Sequence, residues 1–241
     1  MSVQADAIRP SVTDHVFLEC REIGKTFTIR GREVHAVKAV DLSLQRGETL
    51  IIRGESGAGK STLLGLLAVL ERPSAGTITA DGARVDLIQG AALLAWRRRV
   101  GFIFQDHNLL LGWTAEENTT AALMGMGLPR AEQRERARQA LERVGLGNRL
   151  DHLPGELSMG ERQRVAVARA LVRQPAFILA DEPTGDVDET SAQLIIEQLL
   201  EAARRPDVTL IVATHGDVRP ELTGRVFVVK SGTLIPEGSV S

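Results

Sequence analysis

The spacing of apolar residues along this chain changes repeatedly, and each change predicts a new element. In "HVFLECREIGKTF" (15–27) and "VHAVKAVDLSLQRGE" (34–48) they alternate enough for short strands, a β-rich entrance. "ETLIIRG" (48–54) is a compact apolar strand running into a glycine-rich loop, and in the following "KSTLLGLLAVLE" the residues Leu63, Leu66, Leu67 and Leu70 recur at helical spacing. A turn and short strand in "PSAGTITADG", a helix through "GAALLAWRRR" and the strand "VGFIFQ" come next. From about 106 to 155 the pattern is mostly helical. Thr114 with Glu117 three residues on has the form of a capping box, and Pro129 opens a second helix that Gly145 closes. Strands return in "AFILAD" (176–181), "VTLIVAT" (208–214) and "RVFVVKSGTLI" (225–235), the first two separated by the helix "ETSAQLIIEQLLEAAR". Strands alternating with helices imply an α/β fold around a largely parallel sheet, interrupted by an inserted helical subdomain.

From 241 residues, 43% of them hydrophobic, one α/β domain with an insertion can be built, and no second unit is required. The 29 Lys and Arg nearly cancel the 31 Asp and Glu, so no global field draws the chain to nucleic acid or anionic lipid. The run Arg97, Arg98, Arg99 reads as a solvated helix end. The single cysteine, Cys20, rules out an intramolecular disulfide framework and fits a reducing compartment. No apolar run reaches the roughly 18–20 residues of a spanning helix, and the first dozen residues lack an apolar signal core. The expectation is a cytosolic protein with no direct membrane insertion, held at a membrane only through a partner.

Chemistry enters with "GESGAGKST", Gly54 to Thr62, which fits G-x-x-x-x-G-K-[ST] in its required setting between a strand and a helix. Glycines let successive backbone N–H groups turn toward phosphate oxygens, and the helix N-terminus adds partial positive charge. The whole loop, Gly54, Glu55, Ser56, Gly57, Ala58, Gly59, Lys60, Ser61 and Thr62, is therefore a candidate nucleotide site. Lys60 would reach the β- and γ-phosphates, and the Ser61 hydroxyl would ligand Mg²⁺. A glycine turn that merely joins two elements would leave a lysine at a buried helix start unexplained. A second signal is "FILADE". Acids at the C-terminal end of a strand face the ligand crevice of an α/β sheet, so Asp181 can hold Mg²⁺ and Glu182 can polarise an attacking water. Together the two motifs predict a P-loop NTPase, because phosphoryl transfer asks for positioning, charge neutralisation and an oriented nucleophile.

"LSMGERQRVAVARAL" (157–171) looks like the signature L-S-G-G-[QE] with its helix, and it precedes "ILADEPTGDVD" at the spacing used by the ATP-binding subunits of ABC transporters. The chain resembles that family over roughly residues 16–236. The resemblance implies a single ABC ATPase domain there. Residues 16–105 and 165–236 would form a RecA-like P-loop core with an N-terminal antiparallel β subdomain; 106–164 would be the inserted helical subdomain with the signature, and 1–15 a flexible leader. It also implies ATP as the nucleotide and a homodimer closed head to tail, the signature of one copy covering the nucleotide on the P-loop of the other. Gln105 matches the Q-loop glutamine that contacts Mg²⁺ and water, and His215 the switch histidine at the γ-phosphate. Asp188 matches the D-loop contact to the opposite subunit, and Phe27 the aromatic that stacks on adenine, a place usually held by tyrosine. Ser158 and Gly160 match the signature's γ-phosphate contacts, with Glu161 its last position. Catalysis thus falls to Glu182, His215, Gln105 and Lys60. Taken singly, Gln105 would be a surface amide, His215 a cap or satisfied interior residue and Phe27 a core aromatic; their joint order carries the assignment.

Some positions depart from the family pattern. Met159 stands where the signature has its first glycine, and its side chain must either fold away from the nucleotide or hinder closure. The otherwise intact catalytic set favours folding away. Gly216 follows the switch histidine where Asp is frequent, and Asp186 stands where Asn is common. The stretches "RRVGFIFQDHNLLLGWTAEEN" and "LADEPTGDVDETSA" are most similar to the short ATPases of lipoprotein-releasing and macrolide-efflux systems. That implies integral-membrane permease subunits as partners at the cytoplasmic face of the membrane, and no nucleic acid. Leu109, Leu110, Leu111 and Trp113 follow Gln105 in the region where the family receives its permease, although packing of the inserted helices would use the same residues. Two other readings stay open. One is a non-transporting signalling ATPase of the cell-division type; the other is a soluble nucleic-acid-associated ATPase, against which the single cassette, compact insertion and balanced charge all count.

Overall fold

In a computed structural model, which describes residues 16–240, the alternating N-terminal segments form a long hairpin. The leader expected over residues 1–15 lies outside the described residues. Strands β1 (Val16–Ile29) and β2 (Arg32–Gln45) pair antiparallel across the turn Arg30–Gly31, where both residues have positive φ, 50° and 76°. That geometry matches the natural twist of a two-residue hairpin. Strand β3 (Thr49–Arg53) begins a second sheet, while β4 (Ala75–Ala80) and β5 (Ala83–Arg84) return to the first, giving an antiparallel sheet of order β2-β1-β4-β5.

The second sheet is the core. Its other strands are β6 (Val100–Ile103), β7 (Phe177–Asp181), β8 (Thr209–Thr214), β9 (Gly224–Lys230) and β10 (Thr233–Val240), in the order β10-β9-β3-β8-β7-β6. All pairings are parallel except that of β9 with β10. Being buried on both faces, the short apolar strands serve two cores at once. Leu50 and Ile52 pack toward helix α1 (Lys60–Leu67) with Phe17, Leu179 and Ile211. Ile51, Ile178 and Leu210 point the other way, toward helices α5 (Met159–Leu171) and α6 (Glu189–Ala203). Alternate residues thus divide between two hydrophobic layers, as a strand's period of two requires.

Helix α2 (Gly90–Arg99) leads into β6, and the insertion follows with α3 (Ala115–Ala121) and α4 (Arg130–Arg143). Thr114 and Glu117 do form a reciprocal capping box. The stretch from 106 to 114 carries no helix. Buried Asn118 organises part of it instead: its Oδ1 accepts from the Leu110 N–H (2.7 Å), and its Nδ2 faces the carbonyls of Leu110, Trp113 and Thr114. α5 runs unbroken through residues 164 and 165, where the sequence placed the border between insertion and core.

The structure corrects two local expectations. Leu70 does not extend the α1 stripe: the helix ends at Leu67, Val69 turns left-handed (φ 55°), and Leu70 is exposed. The segment 225–235 is not one strand but a hairpin, broken at Ser231 (φ 48°) and Gly232 (φ 85°). A Ser-Gly pair between apolar runs is a turn signal, and the continuous apolar pattern masked it.

Candidate active site

The parallel strands end level with one another, and that edge gathers the predicted chemistry. Arg53 pairs with Thr214, and Asp181 with Ala213. The segments after β3, β7 and β8 therefore emerge side by side, where ligands bind in open α/β sheets. Gly54 N–H bonds the Thr214 carbonyl (3.2 Å) and Glu182 N–H the Ala213 carbonyl (2.9 Å), fastening both loops to β8.

The glycine-rich loop follows β3. Gly59 caps α1 in a left-handed conformation (φ 109°), and a Cβ there would overlap the Ala36 carbonyl oxygen, so both backbone and space demand glycine. No side chain caps α1, which leaves its first N–H groups free for an anion. Gly57, Gly59, Lys60, Ser61 and Thr62 line a cleft of about 310 Å³ together with Ser56, Ala36, Gln105 and Glu182. Gly54, Glu55 and Ala58 face a neighbouring cleft of about 490 Å³, closed by residues 228–231 of the last hairpin.

Two predicted residues of the first cleft, Lys60 and Glu182, are bonded to each other, and Glu182 also to His215 beside it. Lys60 Nζ has three donors, and it meets three acceptors: the carbonyls of Gly54 (2.7 Å) and Glu55 (3.1 Å), and Glu182 Oε1 (3.2 Å). The other Glu182 oxygen, Oε2, accepts from the His215 N–H (3.1 Å) and lies 2.9 Å from His215 Nδ1. Lys60 and Glu182 are buried, whereas His215 is exposed. Glu182 has φ 48°, a left-handed backbone that costs a non-glycine residue about 1–3 kcal/mol and clusters at functional sites. An anion entering the loop would compete for Lys60 and release Glu182.

Asp181 lies beneath this cluster. Burial, the largest influence, raises its pKa, with Glu182 and Asp106 adding to it, while the Ser61 hydroxyl opposes by hydrogen-bonding the carboxylate. Its Oδ1 is buried with no hydrogen-bond partner among the described residues. An orphaned carboxylate oxygen beside a hydroxyl suits a hard cation such as Mg²⁺. Among the described residues no cluster of three His, Cys, Asp or Glu could hold a metal ion. A cation here would therefore complete its shell from Ser61, the Gln105 amide, phosphate and water.

The signature residues do not line this cleft. Ser158 caps α5: its Oγ accepts from Glu161 N–H (3.2 Å), and Glu161 Oε2 accepts from Ser158 N–H (2.8 Å). That N–H, with Arg149 alongside, holds Glu161 below the usual carboxylate range. Gly160 is buried against the start of α6, where a Cβ would overlap Ser191 Oγ. Asp188 caps α6 by accepting from Ser191 N–H (2.9 Å) and Oγ (2.6 Å), contacts that lower its pKa. Arg164 of α5 donates to the same Ser191 Oγ (2.6 Å), so the two helix starts are locked together. Phe27 lines neither cleft; it sits on the β1–β2 hairpin, half-buried, with Lys25 Nζ 5.0 Å from its ring centroid. Lys25 is itself held by Glu71 (2.9 Å) and the Arg72 carbonyl (2.9 Å).

Met159 occupies the first turn of α5 and is 44% exposed, whereas its neighbour Gly160 has no room for a side chain. The two signature positions are thus unequal. Met159→Gly is expected to change ATP turnover by less than about tenfold, or 1.4 kcal/mol in the barrier, in a phosphate-release assay. A larger increase would identify the native methionine as a brake.

The sequence reading missed the polar residues of α5 that face inward. Gln163 donates to the Pro183 carbonyl (3.1 Å), one residue past Glu182, and Arg169 reaches the loop after Gln105. Their only sequence signal is a polar residue on the otherwise apolar stripe of a helix.

The family model described as "ABC transporter" matches residues 37–185. The lipoprotein-releasing system ATP-binding protein LolD 1 of Caulobacter vibrioides is 42% identical over 220 residues, covering 90% of this chain and 94% of that protein. An uncharacterized ABC transporter ATP-binding protein, YknY of Bacillus subtilis, is 36% identical over 223 residues, covering 92% and 96%. Among solved structures, the dimeric post-hydrolysis state of the ATP-binding cassette MJ0796 with ADP and Pi superposes with a TM-score of 0.86 at 32% identity, covering 93% of this chain and 99% of that one.

Proposed function

This chain belongs to the ABC transporter family as an ATP-binding subunit that hydrolyses ATP, and we propose on that premise that it powers a permease of the lipoprotein-release or efflux type. It works as a homodimer on the cytoplasmic side of the membrane. The observation that carries the paired arrangement is the separation of half-sites: Lys60, Glu182 and Gln105 share one cleft, while Ser158 and Gly160 stand outside it at the start of α5. A second copy, turned head to tail, brings the N-terminus of its α5 to the γ-phosphate, where helix dipole and Ser158 hydroxyl favour negative charge. The MJ0796 cassette is dimeric, which supports this reading.

Within the closed site, Lys60 and the loop N–H groups neutralise the phosphates, Glu182 orients the attacking water, and His215 steadies Glu182 and the γ-phosphate. Ser61, Asp181 and Gln105 would hold Mg²⁺, and the cation would spread the charge developing on the phosphate oxygens. Phe27 offers the base its ring. Asp188 contributes by fixing the start of α6 against Gly160.

No helix among the described residues is long and apolar enough to cross a membrane. The exposed apolar residues of the insertion, Leu110, Leu111 and Trp113 shortly after Gln105 with Met124 and Met126 further on, would supply the attachment. Asn118 holds the backbone of Leu110 and Trp113 in place, so this apolar group is preorganised for a partner. The 40%-level identity to lipoprotein-releasing ATPases supports the branch. The test is purification of the full-length chain from its own cells in mild detergent. A co-purifying permease with a large extracytoplasmic domain is expected. Leu111→Asp, at a side chain already 78% exposed, should lose that partner while keeping its isolated ATPase rate. Retention of nucleic acid in place of a membrane protein would overturn the proposal.

A further inference from the structure

Arg169 stands in the last turn of α5, half-buried, and burial lowers its pKa, no carboxylate among the described residues offsetting the loss of water. Basic residues in a last helical turn ordinarily bond that helix's own carbonyls or face solvent. Arg169 instead crosses to another segment. Its Nη1 donates to the Asn108 carbonyl (2.6 Å) and its Nη2 to the His107 carbonyl (2.5 Å). Both acceptors belong to residues with positive φ, 60° at His107 and 47° at Asn108. Two successive non-glycine residues in this region persist only where their surroundings hold them. The remaining bonds of the turn are local, from His107 N–H to the Phe104 carbonyl (3.2 Å) and from Asn108 N–H to the Asp106 carbonyl (2.6 Å). Arg169 is therefore a long-range clamp on a strained turn that starts directly after Gln105.

The helix that supplies the clamp has other duties. It begins at the Ser158 cap, and midway Gln163 holds the Pro183 carbonyl next to Glu182. One rigid helix thus touches the turn after Glu182 and the turn after Gln105. A guanidinium can span two carbonyls with its planar fork, whereas an ammonium is a single point of charge.

We infer that Arg169 is a positioning residue for ATP hydrolysis, holding the turn at His107–Asn108 so that Gln105 stays on the cleft lined by Lys60 and Ser61. The inference rests on the reading of Gln105 as a contact of Mg²⁺ and the attacking water.

The experiment compares Arg169→Met, Arg169→Lys, Gln105→Ala and the Arg169→Met/Gln105→Ala pair in the full-length chain. Arg169→Met should lower kcat about tenfold or more, as sub-ångström misplacement does, while affinity for a fluorescent ATP analogue stays within about threefold. The Mg²⁺ concentration for half-maximal rate should rise, and amide exchange at residues 105–108 should accelerate. Arg169→Lys should recover part of each loss, and the double variant should be no slower than Gln105→Ala alone. Unchanged exchange at the turn overturns the role of Arg169 whatever Gln105 does, as do additive losses in the double variant. If Gln105→Ala keeps full turnover although Arg169→Met loosens the turn, the reading of Gln105 is what fails, and positioning through it falls too. Should Arg169→Met not fold, Arg169→Lys against Gln105→Ala carries the same comparison.

Discussion

Glu182→Gln stops ATP turnover, with kcat falling by roughly 10²–10⁴-fold, while nucleotide binding survives. The substitution keeps the shape of the side chain, and its amide oxygen can still accept from the His215 N–H, which Glu182 Oε2 accepts at 3.1 Å. It removes the negative charge that orients water, and it removes the partner that Lys60 holds at 3.2 Å. Freed of that partner, Lys60 meets incoming phosphate without competition, so ATP should bind at least as tightly as to the native chain. With hydrolysis blocked and both half-sites filled, the closed dimer should accumulate in Mg²⁺ and ATP. Phosphate release, equilibrium nucleotide binding and size-exclusion chromatography measure the three effects. An unchanged turnover rate would remove Glu182 from its assigned role.

Lys60→Ala acts on the other partner and has the opposite signature, loss of binding. Truncating one member of a buried charge pair typically costs about 2–5 kcal/mol, which is roughly 30-fold to several-thousand-fold in the Kd for ATP. The nucleotide-free chain should suffer as well. Glu182 would keep only His215 and a buried carboxylate oxygen would lose its cation, a change worth up to about 3–5 kcal/mol where solvent cannot enter. The cleft is open to water, so the lower part of that range applies. The Lys60→Ala/Glu182→Gln pair separates the two consequences: thermal stability should return, because no unpaired charge remains, while ATP affinity stays low. Native-like ATP binding by Lys60→Ala would show that the loop amides alone hold the phosphates.

Much of this arrangement is legible without coordinates because its signals are local. A short apolar run that ends in "GESGAGKST" prescribes strand, loop and helix within fifteen residues, and in the structure the loop after β3 ends at Gly59, which caps α1 with the left-handed φ that such a loop needs. "FILAD" is buried at every position in β7, as a strand covered on both faces must be. The capping pair Thr114–Glu117 is likewise a matter of three-residue spacing. Where two local signals competed, the apolar period was the misleading one. Leu70 kept the helical period but lies beyond the end of α1, and Ser231–Gly232 broke an apolar run that read as continuous.

By itself, then, the amino-acid order determined which segments become strands and helices, where the phosphate loop sits and which acids end the strand beside it, since each of these follows from spacing and backbone preference among near neighbours. Only the tertiary structure decided that Lys60 pairs with Glu182, that Asp188 caps α6 against Gly160, and that Arg169 clamps a turn 61 residues away. Those contacts join residues far apart in the chain. They depend on how sheet and helices pack, and nothing in the spacing of neighbours encodes the distance between two side chains brought together from opposite ends of a fold.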